Sequence, residues 1–273
     1  MVLALDAVGY RYAGAARPSL SDVSVTFADG KVVGICGRSE AGKTTLCLVA
    51  GGIAPRTVGG TMTGRLLLDG EDTSALAMHQ LVGRIGIGFS SPATQLSGVA
   101  GTVYEEVAFG PMNMGLPRSE IIERTESALT ALRIASLAER DPGRLSGGQQ
   151  QLVGIAGLLA LRPAHLVLDE PTAQLDPAGT RLVGEALARL AADGASIAIA
   201  EQKTDLLAAI CDEVLVIDAG RIALGGPAGE VLADPRLVEL GVAPPAAVRL
   251  ERAARDASLS EAVVARIRES SAS

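Results

Sequence analysis

A short apolar run, Lys31-Val32-Val33-Gly34-Ile35-Cys36, ends directly in Gly37-Arg38-Ser39-Glu40-Ala41-Gly42-Lys43-Thr44, and residues 43–50 beyond it are helix-forming. No other stretch constrains the fold as strongly. A buried strand that turns through a glycine-framed loop into a helix aims its loop N–H groups inward. The positive N-terminus of the helix adds to them, which makes a cradle for an anion. The spacing is G-x-x-x-x-G-K-[ST]. In that pattern Lys43 reaches the β- and γ-phosphate oxygens of a nucleotide and the Thr44 hydroxyl joins the shell of a magnesium ion. Gly37, Arg38, Ser39, Glu40, Ala41, Gly42 and Thr45 are the other candidate contacts. The same letters also fit an ordinary glycine-rich turn; the strand before and the helix after favour the cradle.

Leu166-Val167-Leu168-Asp169-Glu170 is an apolar strand that ends in two carboxylates. In open α/β sheets ligands bind at the carboxyl edge of the strands. Asp169 is therefore placed to hold a magnesium-bound water. Glu170 is placed to take a proton from, or to orient, a water that attacks the terminal phosphate. A strand end capped by solvated acids is the plainer alternative. A third element, Leu145-Ser146-Gly147-Gly148-Gln149, opens a helical run at 150–161. Its serine and glycines make another anion-binding helix start, or simply a serine N-cap. One nucleotide does not need two cradles for its last phosphate. The second makes sense if it reaches a nucleotide held by another subunit.

Around these motifs, strands are expected at 3–8, 23–27, 31–36, 65–70 and 84–89, with turn signals at Ala13-Gly14 and Asp29-Gly30. From 102 to about 161 the spacing becomes helical through Val103, Val107, Ile121, Ile122, Ala128, Leu129 and Leu132, with Pro111 and Pro117 separating the pieces. Strands and helices then alternate at 165–169, 180–192, 196–200, 205–210 and 214–218, and 221–227 reads as a strand and turn before a short helix. This is an α/β core with a helical insertion, followed at 244–273 by a helical tail with a Ser-rich end.

With 273 residues, 48% hydrophobic and 20% charged, the chain can bury a sizeable core. A net charge of −7, 2% aromatics and no Trp argue against a nucleic-acid partner. Cys36, Cys47 and Cys211 are far apart and odd in number, and only His79 and His165 could join them in a soft metal site. A disulfide scaffold or structural zinc is not expected; Cys36 and Cys47 read as small core residues and His165 as a turn residue. The longest apolar stretch, 152–161, is closed by Arg162-Pro163 and is too short to span a bilayer. An early Asp6 breaks any secretory-signal layout, so a soluble chain is expected.

The order of the phosphate loop, the signature at 145–149, Leu166 to Pro171, and Leu175-Asp176 resembles the ATP-binding-cassette (ABC) ATPases over about residues 1–235. The resemblance implies an α/β P-loop NTPase core with an antiparallel β subdomain, a helical insertion at about 100–161 and a C-terminal helical extension at 236–273. It implies two cassettes that close head to tail over two ATPs with Mg²⁺. Tyr12 would stack on adenine. Ser146, Gly147, Gly148 and Gln149 would contact the γ-phosphate of the partner's ATP, and Asp176 would lie in the loop that crosses the dimer interface. More narrowly, Pro92-Ala93-Thr94-Gln95-Leu96 and Glu105-Glu106-Val107-Ala108-Phe109-Gly110-Pro111, with Gly115-Leu116-Pro117 behind them, are similar to the ATPase subunits of energy-coupling-factor importers for vitamins and transition-metal ions. That likeness implies integral membrane partners, a second ATPase subunit, identical or not, and a peripheral position on the cytoplasmic face of the membrane. It also implies a tail that helps dimerisation.

Three positions depart from the family pattern. Glu40 stands where the phosphate loop usually has Gly, Ser90 where a Gln touches Mg²⁺ and the attacking water, and Gln202 where the family has its switch His. A carboxylate beside polyphosphate is unfavourable unless it points to solvent, and a side chain restricts the loop backbone. Serine is short and reaches the metal only through a water. Gln donates a hydrogen bond but is never cationic. All three fall in the pocket that this chain builds itself, whereas Glu170 and the signature are intact. The expectation is an ATP-binding and ATP-hydrolysing subunit whose own site is weakened and whose 146–149 loop serves a partner. A non-transport ABC-type switch and a nearly inactive regulatory subunit are the alternatives.

Overall fold

The computed structural model describes residues 2–257. Along β1 (Val2–Arg11) the side chains of Leu3, Leu5, Val8 and Tyr10 are buried. A register shift between Leu5 and Val8, with Ala7 at φ 48°, carries the buried face across what would otherwise be a broken alternation. β1 pairs antiparallel with β2 (Leu20–Ala28). Then comes β3 (Val32–Cys36), buried at every position, which leads through the glycine-framed loop into α1 (Lys43–Ala50). The chain continues through β4 (Thr61–Leu68), β5 (Glu71–Asp72), α2 (Met78–Val82), β6 (Ile85–Gly88) and α3 (Pro92–Gln95). The insertion is α4 (Val103–Asn113), α5 (Arg118–Ala131) and α6 (Gly147–Leu161). The core resumes with β7 (His165–Asp169), α7 (Pro177–Ala192), β8 (Ser196–Ala200), α8 (Thr204–Ile210), β9 (Glu213–Asp218) and β10 (Arg221–Pro227). It closes with α9 (Ala228–Ala233), α10 (Arg236–Glu239) and α11 (Ala246–Asp256).

Two sheets form. The smaller is antiparallel, in the order β2-β1-β4-β5. The larger runs β10-β9-β3-β8-β7-β6; its strands are parallel except for β10 at the edge. Strands covered on both faces read as continuous apolar runs, which is why β3, β7 and β8 stand out in the sequence. Leu166 and Leu168 of β7 face a core shared with α4, α5, α6 and α7, while Val167 faces a second core shared with α1 and the antiparallel sheet. Each such buried leucine contributes about 2 kcal/mol relative to exposure.

The helical insertion is where the spacing placed it, with Val103, Val107, Ala128, Leu129 and Leu132 all buried. Pro111 corrects the reading of this region. It does not separate two helices but sits inside α4, which ends two residues later. A proline that close to a helix end costs one hydrogen bond and has little helix left to bend. Pro117 does separate pieces, as the N-cap of α5. Among the described residues, no helix is long and apolar enough to cross a membrane.

The segment after β10 is fastened to the core. Thr204 Oγ1 donates to the Ala243 carbonyl (2.8 Å) and Ala246 N to Asp205 Oδ1 (2.7 Å). A Cβ at Gly241 would stand 3.2 Å from the Cβ of Arg38. Of the tail expected over 244–273, the first part is helical as α11, and residues 258–273 lie outside the described residues.

His165 is a second correction. It is the first residue of β7, wholly buried, with Nδ1 2.6 Å from Ser196 Oγ across the strand pair, not a turn residue. Burial pushes its pKa below the ordinary 6.5. Above that pH the ring is neutral whether the chain is folded or unfolded. As pH falls through 6.5 the unfolded chain takes up a proton that the buried ring resists, so stability declines from there down to the folded pKa. We expect the melting temperature to drop between pH 7 and pH 5, and the drop to shrink in His165→Gln; an equal drop in both proteins in thermal melts would refute this.

Candidate active site

The parallel register brings the sites of interest to one edge. Ile35 pairs with Ala200, and Ala200 with Asp169. The residues that follow these strand ends, from Gly37, from Glu170 and from Glu201, therefore leave the sheet side by side. Gly42 is the N-cap of α1 at φ 112°, and a Cβ there would stand 2.7 Å from the Ser19 carbonyl oxygen. Only glycine fits both demands. It offers no side chain to cap the helix, and the first turn has no acidic residue. The first-turn N–H groups are thus left for an external acceptor. Lys43 is buried, and its Nζ donates to the carbonyls of Gly37 (2.9 Å) and Arg38 (3.0 Å), which fixes the curl of the loop.

Opposite the loop, burial pushes the Asp169 carboxyl above the usual carboxylate range, an effect that a hydrogen bond with the Thr44 side chain opposes. Its Oδ1 is buried and has no hydrogen-bond partner among the described residues. Glu170 adopts φ 48°, with its N–H on the Ala200 carbonyl (2.8 Å). Gln202 Nε2 donates to Glu170 Oε1 (2.7 Å). This joins the two sequence-predicted catalytic residues directly.

A pocket of about 550 Å³ lies between these elements, lined by Ser39, Glu40, Gly42, Lys43, Thr44, Thr45, Glu170 and Gln202. Gly37 and Ala41 form buried backbone behind it, and the Arg38 side chain turns away to Asp218 (3.0 Å). Tyr12 is half-buried next to the pocket; its hydroxyl lies 3.1 Å from Thr45 Oγ1 and its ring meets Tyr10 edge-on at 4.9 Å. Ser90 is exposed beyond β6 and does not line the pocket. Residues 146–149 and Asp176 also lie outside its lining. Ser146 and Gln149 form a reciprocal capping box at the start of α6, and Asp176 N-caps α7 by accepting from Gly179 N (2.7 Å). Arg17, Pro18, Ser19, Ala219 and Gly220 complete the wall. Sequence reasoning missed these five, because no local pattern marks loops that meet only after the two sheets pack. Cys36 and Cys47 are buried, and burial pushes the Cys36 thiol up to about 12, in keeping with core roles. No cluster of metal-ligating side chains occurs among the described residues.

The family model described as ABC transporter matches residues 20–173, more than half of the chain. The chain belongs to the ABC transporter family. Among curated relatives, it is 38% identical over 251 residues to a putative ABC transporter ATP-binding protein of Methanosarcina acetivorans, a match that covers 91% of this chain and 41% of that one. The chain thus spans less than half the length of that relative. It is 37% identical to the energy-coupling factor transporter ATP-binding protein EcfA2 of Symbiobacterium thermophilum, covering 92% and 87% of the two chains. The solved structure of CbiO1 from Clostridium perfringens, described as part of the ABC transporter complex cbiONQ, superposes with a TM-score of 0.73 at 33% identity, covering 87% of this chain and 92% of that one.

Within this member of the ABC transporter family, Glu40 holds a conformation that glycine adopts freely. Its φ is 63° and its side chain is exposed at the pocket rim. The left-handed backbone costs about 1 kcal/mol with or without nucleotide and so leaves affinity unchanged; the like charge near polyphosphate costs about 1 kcal/mol only when nucleotide is bound. Glu40→Gly is expected to tighten ATP binding about fivefold in calorimetric titration. An affinity equal to or below that of the unaltered chain would show that Glu40 does not weaken the loop.

Proposed function

We propose that the chain is the ATP-binding and ATP-hydrolysing subunit of an energy-coupling-factor type ABC importer, paired with a second ATPase subunit and attached to integral membrane subunits on the cytoplasmic face. Residues 1–235 would be the ATPase domain and 236–273 an extension. In this reading its own site is weakened and its signature loop serves the partner's nucleotide. One observation carries the asymmetry: Glu40 sits in a left-handed conformation at the rim of the pocket, while the Ser146–Gln149 capping box is intact and stands apart from it. The names of the relatives support the class of machine.

The chain's own residues would act as follows. The loop N–H groups and the N-terminus of α1 bind the phosphates, with Lys43 neutralising charge on the β and γ groups. Thr45 and Tyr12 bound the side toward the base. Glu170, steadied by Gln202, accepts a proton from the attacking water. Gln202 is also the donor placed for the terminal phosphate. A magnesium ion fits this set: the Thr44 hydroxyl and the unpartnered Asp169 Oδ1 are hard oxygen donors side by side, and Ser90 would reach the ion through a water. When bound, that ion offsets phosphate charge and orients the terminal group. ATP held between this loop and a partner's signature closes the dimer, and loss of the terminal phosphate reopens it.

The test uses the assembled transporter. Ser146→Ala in this chain should lower ATP turnover at least tenfold, and Glu170→Gln should lower it less than threefold. If Glu170→Gln costs more than Ser146→Ala, or the isolated chain turns over ATP as fast as the complex, the asymmetric assignment is wrong.

A further inference from the structure

The tripeptide after β8 grips a loop that the proposed mechanism leaves without a holder. Glu201 is 2% exposed, and its carboxylate joins the loop to the tripeptide's own backbone: Oε2 accepts from Thr172 Oγ1 (2.6 Å), and Oε1 from the N–H groups of Gln202 (2.8 Å) and Lys203 (3.2 Å). Lys203 holds the same loop at more points. Its Nζ donates to the carbonyls of Thr172 (2.7 Å) and Leu175 (3.0 Å) and meets Thr180 Oγ1 at 3.0 Å. All three ammonium N–H groups are thereby spent on the 172–176 loop and the first turn of α7.

That loop touches the signature. A Cβ on Gly147 would collide with Gln174 Oε1, and one on Gly148 would lie 3.2 Å from the Gln174 carbonyl oxygen. One continuous set of contacts therefore runs from Glu170 and Gln202 in the chain's own pocket, through Lys203 and the 172–176 loop, to the glycines at the start of α6. Charge-assisted bonds of this kind are about twice as strong as neutral ones; two from this ammonium hold carbonyls of the loop, and the third ties it to Thr180 of α7.

We infer that Lys203 is a positioning residue: it sets the 172–176 loop so that Ser146, Gly147 and Gly148 are presented correctly to the neighbouring subunit's nucleotide, and it ties that presentation to the state of Gln202 next door. This rests on the proposed head-to-tail pairing. The contacts of Lys203 lie away from the pocket walls, so it predicts a particular split between binding and turnover.

The experiment compares the assembled transporter carrying Lys203→Met, Lys203→Arg or Thr180→Val with the unaltered complex. ATP binding by this chain, followed by fluorescent-nucleotide titration, should stay within twofold in all three. Turnover at saturating ATP should fall at least tenfold in Lys203→Met with KM within threefold, recover in part in Lys203→Arg, and fall two- to fivefold in Thr180→Val. Amide exchange across 172–176 should quicken in Lys203→Met. If Lys203→Met does not fold, Thr180→Val, which removes a single contact, decides the matter: unchanged turnover overturns the inference. So does unchanged turnover in a folded Lys203→Met, or a loss seen only as weaker ATP binding. An unaltered complex that neither binds nor hydrolyses ATP would instead overturn the proposed function.

Discussion

Everything at the site hangs on the parallel pairing of β3, β8 and β7. Pairing Ile35 with Ala200 and Ala200 with Asp169 fixes three strand ends at one level. The residues just past them are then the loop that begins at Gly37, the acid pair and the 201–203 tripeptide. A shift of one position in any of these strands would turn its apolar side chains to the wrong core. The burial of Leu166, Val167 and Leu168 on alternate faces enforces the register, and the register assembles the chemistry.

The site combines groups of very different exposure. Asp169 and Lys43 are buried, and Glu170, Thr44 and Gln202 stand at the surface of the pocket. The division leaves the inner groups of the site held by packing and its outer groups open at the rim. Left-handed backbone at both Glu40 and Glu170 places strain at two points of the pocket lining. Strain of this kind persists only where surrounding contacts over-determine it. Around Glu170 those contacts are the bonds to Ala200 and Gln202.

Much of this was legible in the letters. α1, β7 and β8 have the boundaries that apolar runs and the glycine-framed loop implied, because strands buried on both faces and a helix that starts at a phosphate loop leave strong local signals. Pro111 misled, because proline marks a helix break only when enough helix follows to be bent. His165 misled, because a polar residue before an apolar run looks like a turn until Ser196 on the next strand is found to meet it. The contacts of Lys203 and of Gln174 were invisible for a further reason. They join positions about 20 to 30 apart in the chain, several of them through backbone carbonyls, and a backbone carbonyl has no letter of its own.

The fastening of the segment beyond β10 has a consequence for how the chain can be divided. The motifs that carry the family resemblance stop well before residue 235, but the Thr204 hydroxyl, one residue past Lys203, donates to the Ala243 carbonyl, and Gly241 comes so near Arg38 in the glycine-framed loop that a Cβ there would stand 3.2 Å from the arginine's own. A protein trimmed at 235 would lose the bonds that Thr204 and Asp205 make to this segment, and with them the close approach of Gly241 to Arg38. The packed fold therefore runs past the stretch that the sequence motifs mark.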